Sequence, residues 1–250
     1  MRLSSTFSYS FSSISNLKTP CSGIKHHESP YTRNTFIFLG VSMKRFEENP
    51  DVSYPPFKVD HTHESATRKL SAHLYERFLQ KSVDQDLVIL CIGTDRSTGD
   101  ALGPLVGSRL QTYYLDHISV YGTLESPVHA VNLEDQITMI TERHPNALIV
   151  AIDACLGQYQ HVGCINVADG PVKPGAGVKK ELPAVGHFHI TGIVNVGGFM
   201  EYFVLQNTRL HIVVSMADII ASAISKATTQ LFSPQLDYTW QDMPYVRDGS

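Results

Sequence analysis

Residues 87–104 read LVILCIGTDRSTGDALGP. The first five positions, Leu87 to Cys91, are an apolar run, the pattern of a strand buried on both faces. Gly93 breaks the run into a polar turn, Thr94-Asp95-Arg96-Ser97-Thr98-Gly99, which ends on Asp100. From Pro104 onward Leu105, Val106, Leu110 and Tyr113 share one side of a helix. Open α/β sheets build sites from strand, polar loop and helix in that order, because ligands sit beyond the carboxyl ends of the strands. Residues 147–153, ALIVAID, repeat the arrangement with Asp153 at the end of an apolar run. If the two strands are parallel neighbours, Asp100 and Asp153 meet at one crevice.

The flanking sequence extends the alternation. Residues 64–80 place Leu70, Leu74, Tyr75 and Phe78 at helical spacing, with Lys69, Glu76 and Arg77 facing outward. Residues 118–124 (ISVYGTL) read as a short strand, and Asn132 is placed to cap a helix that runs to Arg143 and stops at Pro145. Residues 162–167 (VGCINV) read as another strand. A helix is expected over 196–206, a short strand over 210–213 and a last helix over 215–229. Strands alternating with helices imply α/β layers around a mainly parallel sheet. The domain expected from this pattern covers residues 63–232.

The ends differ from this middle. Residues 1–45 are rich in Ser, Thr, Asn and Tyr without helical or strand periodicity. They are expected to be a disordered leader, or an extension upstream of a natural start at Met43, since they fit neither a signal peptide nor an Arg-rich transit peptide. Residues 46–62 carry Pro50, Pro55 and Pro56 and read as extended linker, and residues 233–250 as a loose polar tail.

The formal net charge of −4 over 250 residues opposes nucleic-acid binding, which calls for a basic face. No apolar run of membrane-spanning length stands out, and a cytoplasmic location is expected. Nothing opposes a homo-oligomer. Of the four cysteines, Cys91, Cys155 and Cys164 lie in apolar runs without metal-binding spacing, and reduced buried thiols are expected.

Several chemistries fit these residues. Two aspartates at adjacent strand ends can share a proton, one acting as base toward water and the other as acid toward a leaving amine. The same residues also serve as helix caps and turn formers. Asp100, Asp153 and one of His187 or His189 make an oxygen, oxygen, nitrogen set for a divalent metal ion. Cys155 with His187 as base is a third arrangement, although a neighbouring carboxylate raises a thiol pKa. Phosphate binding has little support: Gly93, Gly99 and Gly103 do not form a dinucleotide fingerprint, and Asp95 and Asp100 oppose an anion at that helix start. The long loop 169–186, rich in Gly and Pro with Lys173, Lys179 and Lys180, is bracketed by apolar elements, as functional loops are.

Four segments, IGTDRSTGDALGPLVG, AIDACLG, DGPVKPGAGVKKELPAVG and HITGIVNVGGFMEYFVLQNTRL, together resemble the YyaC-type sporulation protein family, regarded as spore proteases. That family is similar in turn to germination protease, which degrades small acid-soluble spore proteins, and to the hydrogenase maturation endopeptidases. The resemblance implies a three-layer α/β/α sandwich of the phosphorylase/hydrolase-like kind and a protein or peptide substrate. It places Asp100 and Asp153 on the two proposed catalytic aspartates of germination protease. PVKPGAGVKK resembles that enzyme's Gly-rich segment, which makes Gly175 and Gly177 candidate substrate contacts beside Thr94 and Asp95. The maturation enzymes hold a metal with an acidic pair and a His, the role open here to His187 or His189. The Gly-Asn of both relatives is replaced here by Gly93-Thr94-Asp95, so the loop lacks that amide. This departure motivates a second expectation, a catalytically silent sporulation factor that binds a partner protein or peptide in the former cleft.

Overall fold

The computed structural model describes residues 54, 56–175 and 182–232. The expected leader over 1–45 and tail over 233–250 lie outside the described residues.

Among the described residues six strands form one sheet: β1 (Phe57–Asp60), β2 (Leu87–Cys91), β3 (Ser119–Tyr121), β4 (Leu148–Gly157), β5 (Cys164–Asp169) and β6 (Phe188–Val196). Their spatial order is β1-β5-β6-β4-β2-β3. Strands β6, β4, β2 and β3 are mutually parallel, and β5 runs antiparallel between β6 and β1. Five α-helices among the described residues accompany them: α1 (Ala66–Phe78), α2 (Leu102–Thr112), α3 (Leu133–Arg143), α4 (Glu201–Gln206) and α5 (Leu210–Phe232).

The helices sort by their apolar stripes. On one face Leu70, Leu74 and Phe78 of α1, Leu102, Val106 and Leu110 of α2, and Val213, Met216, Ile220 and Ile224 of α5 pack on Ile89, Val150, Ile152 and Ile190 of the sheet. On the other face Leu133 and Ile140 of α3 pack on Val88, Leu90, Ile149 and Ala151, together with Val172 and Val185. The result is the three-layer α/β/α arrangement with a mainly parallel sheet. Strand β2 is buried at every position because both layers cover it, as its unbroken apolar run predicts.

Several elements differ from expectation. Phe57–Asp60, inside the stretch expected as linker, pairs antiparallel with β5 as an edge strand. Residues 210–213 are the first turn of α5 rather than a strand. Val213 packs beside Met216 and Ile220, so the helical face wins over the local β-branched run. By length and composition α5 is long and apolar enough to cross a membrane, contrary to the expectation of no such run; here that apolar face lies on the sheet. Residue 196 ends β6, and helix α4 begins only at Glu201. Strand β6 carries Gly192 in its middle because Leu102 and Met216 close on it; a Cβ there would lie 2.4 and 2.5 Å from their side-chain carbons.

The topology sets the location of the site. From β2 the chain passes through α2 to β3 at the edge, then returns through α3 to β4 on the opposite side of β2. The chain leaves β2 toward β3 and leaves β4 toward β5, in opposite directions along the sheet. The gap between their carboxyl ends is the switch point where such sheets take ligands.

Candidate active site

Strand β2 leaves the sheet at this gap, while β4 continues. The Ile92 N–H still donates to Ile152 O at 2.7 Å, and Asp153 follows on β4. Asp153 was expected at a strand end. The strand instead runs on to Gly157, because β6 continues beside it to Val196. Asp153 occupies the position where β4 loses β2 as neighbour.

The turn that carries Asp100 is tied down by its own backbone. The Thr94 N–H donates to Asp100 O at 3.0 Å, and the Gly93 N–H donates to Val128 O at 2.8 Å. Gly93 has φ +143°, and a Cβ there would stand 2.0 Å from Asp100 O. Only glycine allows this close return. Asp100 lies in a short 3-10 turn (Gly99–Ala101) that leads directly into α2, and the N-cap positions of the two helices are Thr98 and Ala101 rather than Asp100. The cap reading of Asp100 is therefore not realised.

Both carboxyls are held above the ordinary range. Burial raises Asp100 to about 6, opposed by the nearby His129. Burial also raises Asp153 well above the ordinary value, and the Asp100 charge adds to the rise; the Ala154 N–H, donating to Asp153 Oδ1 at 2.8 Å, works against it. The charge of Asp100 thus reaches Asp153. At neutral pH Asp100 is mainly ionised, while burial and the Asp100 charge both favour the protonated form of Asp153.

The other candidates fall as follows. Thr94 is half-buried beside Gly93, with its Oγ1 accepting from the Arg96 N–H at 3.3 Å, and Asp95 is exposed. Ser97, in the same turn, is buried, and its Oγ has no hydrogen-bond partner among the described residues. Gly175 lies on the long loop at φ +132°, and Gly177 lies outside the described residues. The loop's neck is closed by paired hydrogen bonds between Val172 and Val185, over the sheet face that also carries Asp153.

His187 is not beside the aspartates. Its Nδ1 accepts from the Ile149 N–H at 2.9 Å, near the opposite end of β4. Asp153 lies four steps along the strand from Ile149, roughly 13 Å at about 3.3 Å per residue. The His189 ring pairs with Gly170 O at 2.9 Å. Among the described residues no three His, Cys, Asp or Glu side chains are arranged to hold a metal ion. The expected ligand set of Asp100, Asp153 and His187 is therefore not assembled, and the residues present do not fit a metal in that form. Cys155 is no activated thiol either: burial pushes it up to about 11, and His187 stands too far back to serve as its base.

Three features were not foreseen. His129 reaches the gap because the β3–α3 connection crosses the end of β2, where Val128 bridges Ile92. Asn195 lies behind the turn, donating to Val204 O and Thr208 Oγ1, while Thr208 packs against Gly99. A groove of about 480 Å³ opens beside Asn195, bordered by Val196, Phe199, Phe203 and Asn207. No short motif marks any of these, since each depends on which loop crosses which strand end.

Residues 58–223 match the family described as "Protein of unknown function (DUF1256)". The chain belongs to that family. It is 53% identical over 167 residues to the uncharacterized protein YyaC of Bacillus subtilis (strain 168), covering 67% of this chain and 81% of that one. Among solved structures it is similar to the [NiFe] hydrogenase maturation protease HycI from Thermococcus kodakarensis KOD1. That likeness has a TM-score of 0.41 at 18% identity, over 63% of this chain and 99% of the other.

Proposed function

We propose that the protein is an endopeptidase of sporulation or germination, hydrolysing a protein substrate with Asp100 and Asp153. The observation that most supports this reading is the pair of carboxyls at the switch point, both raised above the ordinary carboxyl range, Asp100 to about 6 and Asp153 further favoured in its protonated form by the Asp100 charge. The motif resemblance to germination protease supplies the substrate class.

In the proposed reaction Asp100 takes a proton from a water molecule as its oxygen attacks the peptide carbonyl carbon. The C–N bond then breaks, and the Asp153 proton goes to the leaving amine. The turn over leaves Asp100 protonated and Asp153 ionised, and proton exchange with solvent restores both. Burial serves this chemistry, because a carboxyl kept out of water at neutral pH can hold the proton that the amine needs.

The test is incubation of the purified protein with a small acid-soluble spore protein, with products read by mass spectrometry. The reading expects internal cleavage that disappears in Asp100→Asn and Asp153→Asn. Binding of the spore protein without cleavage would support the silent partner-binding factor instead.

A further inference from the structure

We propose that His129 is a third member of the site, placed to donate from Nε2 to the carbonyl oxygen of the scissile bond. The inference rests on the peptidase reading above and deepens it.

The geometry begins with the backbone. Val128 forms a parallel bridge to Ile92, and its carbonyl accepts the Gly93 N–H at 2.8 Å. Gly93 in turn lies against Asp100 O. The next residue, His129, therefore emerges at the turn that carries Asp100.

The loop around His129 is pinned at several points. Its N–H donates to Asn132 Oδ1 at 2.8 Å, and Asn132 Nδ2 donates to Pro127 O at 3.1 Å. The His129 carbonyl accepts the N–H groups of Asn132 and Leu133 at 3.1 and 3.0 Å. Asn132 stands at the N-cap position of α3, but its side chain makes no capping bond to the helix. It is spent on fixing His129.

The ring itself is oriented. Nδ1 accepts the Val131 N–H at 3.3 Å, so the neutral ring carries its proton on Nε2. The imidazole is half-buried, and its protonated form would favour the ionised Asp100. Yet no ion pair within 4.0 Å joins the two among the described residues.

In the reaction the carbonyl oxygen gains negative charge as water adds. A donor already in place there favours the transition state over the bound substrate. His129 transfers no proton in this scheme, so the bond and proton balance given above is unchanged.

The experiment compares wild type, His129→Ala and His129→Gln on the small acid-soluble spore protein. Circular dichroism melts first show which variants are folded. A donor used in the transition state predicts a kcat lower by about 100-fold in His129→Ala, with KM changed by less than about two-fold. His129→Gln, whose amide can donate, should recover part of the loss. A carboxyl ¹³C titration gives an arm independent of activity, in which Asp100 should titrate at higher pH in His129→Ala. Unchanged kcat in a folded His129→Ala, a loss confined to KM, or an unmoved Asp100 midpoint would each overturn the His129 assignment while leaving the aspartate pair intact. No cleavage by the wild-type protein would overturn the peptidase reading and, with it, this role.

Discussion

Burial and the charge of Asp100 both raise the Asp153 carboxyl well above its ordinary range. The two residues are 53 positions apart in the chain, and they meet because β2 and β4 are parallel neighbours with Leu90 opposite Ala151 and Cys91 opposite Ile152. Their meeting is the physical basis of the proposed chemistry, and it has consequences for stability as well as for rate.

The first concerns the cost of burying the pair. The unfolded Asp100 ionises near 3.8 and the folded one near 6. Between those values the unfolded chain binds fewer protons, so stability falls as pH rises and levels off above the folded value. A shift of that size corresponds to about 3 kcal/mol. Asp100→Asn should therefore be more stable than wild type at pH 7 by about 2–3 kcal/mol, and its stability should depend less on pH between about 4 and 6. Urea melts of both proteins at pH 4 and pH 7 measure this. A variant less stable than wild type at pH 7 would contradict it.

Activity should have two limbs with pH. It rises as Asp100 loses its proton around pH 6 and falls at higher pH as Asp153 loses its own. The pH profile of kcat/KM on the spore protein is the measurement. In Asp100→Asn and Asp153→Asn the rate should drop by about 100-fold or more.

Cys155 lies two residues past Asp153 and is a natural suspect for a nucleophile. Its thiol, raised to about 11, is almost wholly protonated at neutral pH. Cys155→Ser should retain activity within about three-fold, and iodoacetamide should label Cys155 slowly at pH 7. Rapid alkylation with matching loss of activity would contradict this.

Gly93 supports the turn through its conformation. A Cβ there collides with the Asp100 carbonyl, and φ +143° is strained for any other residue. Gly93→Ala should cost about 2–4 kcal/mol, or else displace Asp100 and remove activity. Thermal melts and rates on the same preparation measure both outcomes.

Much of this was legible in the chain. The apolar runs ending at Cys91 and Asp153 gave two buried parallel strands, and the rule for open sheets then brought Asp100 to Asp153. What stayed hidden depended on contacts far apart in sequence. Strand β6 was obscured by Gly192, whose missing side chain is filled by Leu102 and Met216. The first turn of α5 looked like a strand because its β-branched residues fit either period until packing on the sheet chose the helix. His187 attracted attention as a possible ligand by its place in the chain, yet the strand register holds it at the far end of β4. His129 had no motif to announce it, since only the crossing of the β3–α3 loop over β2 brings it to the site.

The most direct measurement is a carboxyl ¹³C titration of Asp100 and Asp153 in wild type and in Asp100→Asn. A proton-sharing pair predicts Asp100 titrating near 6, Asp153 titrating well above the ordinary carboxyl range, and a lower Asp153 midpoint once the Asp100 charge is removed. Two carboxyls that each ionise near pH 4, with Asp153 indifferent to Asp100→Asn, would contradict it.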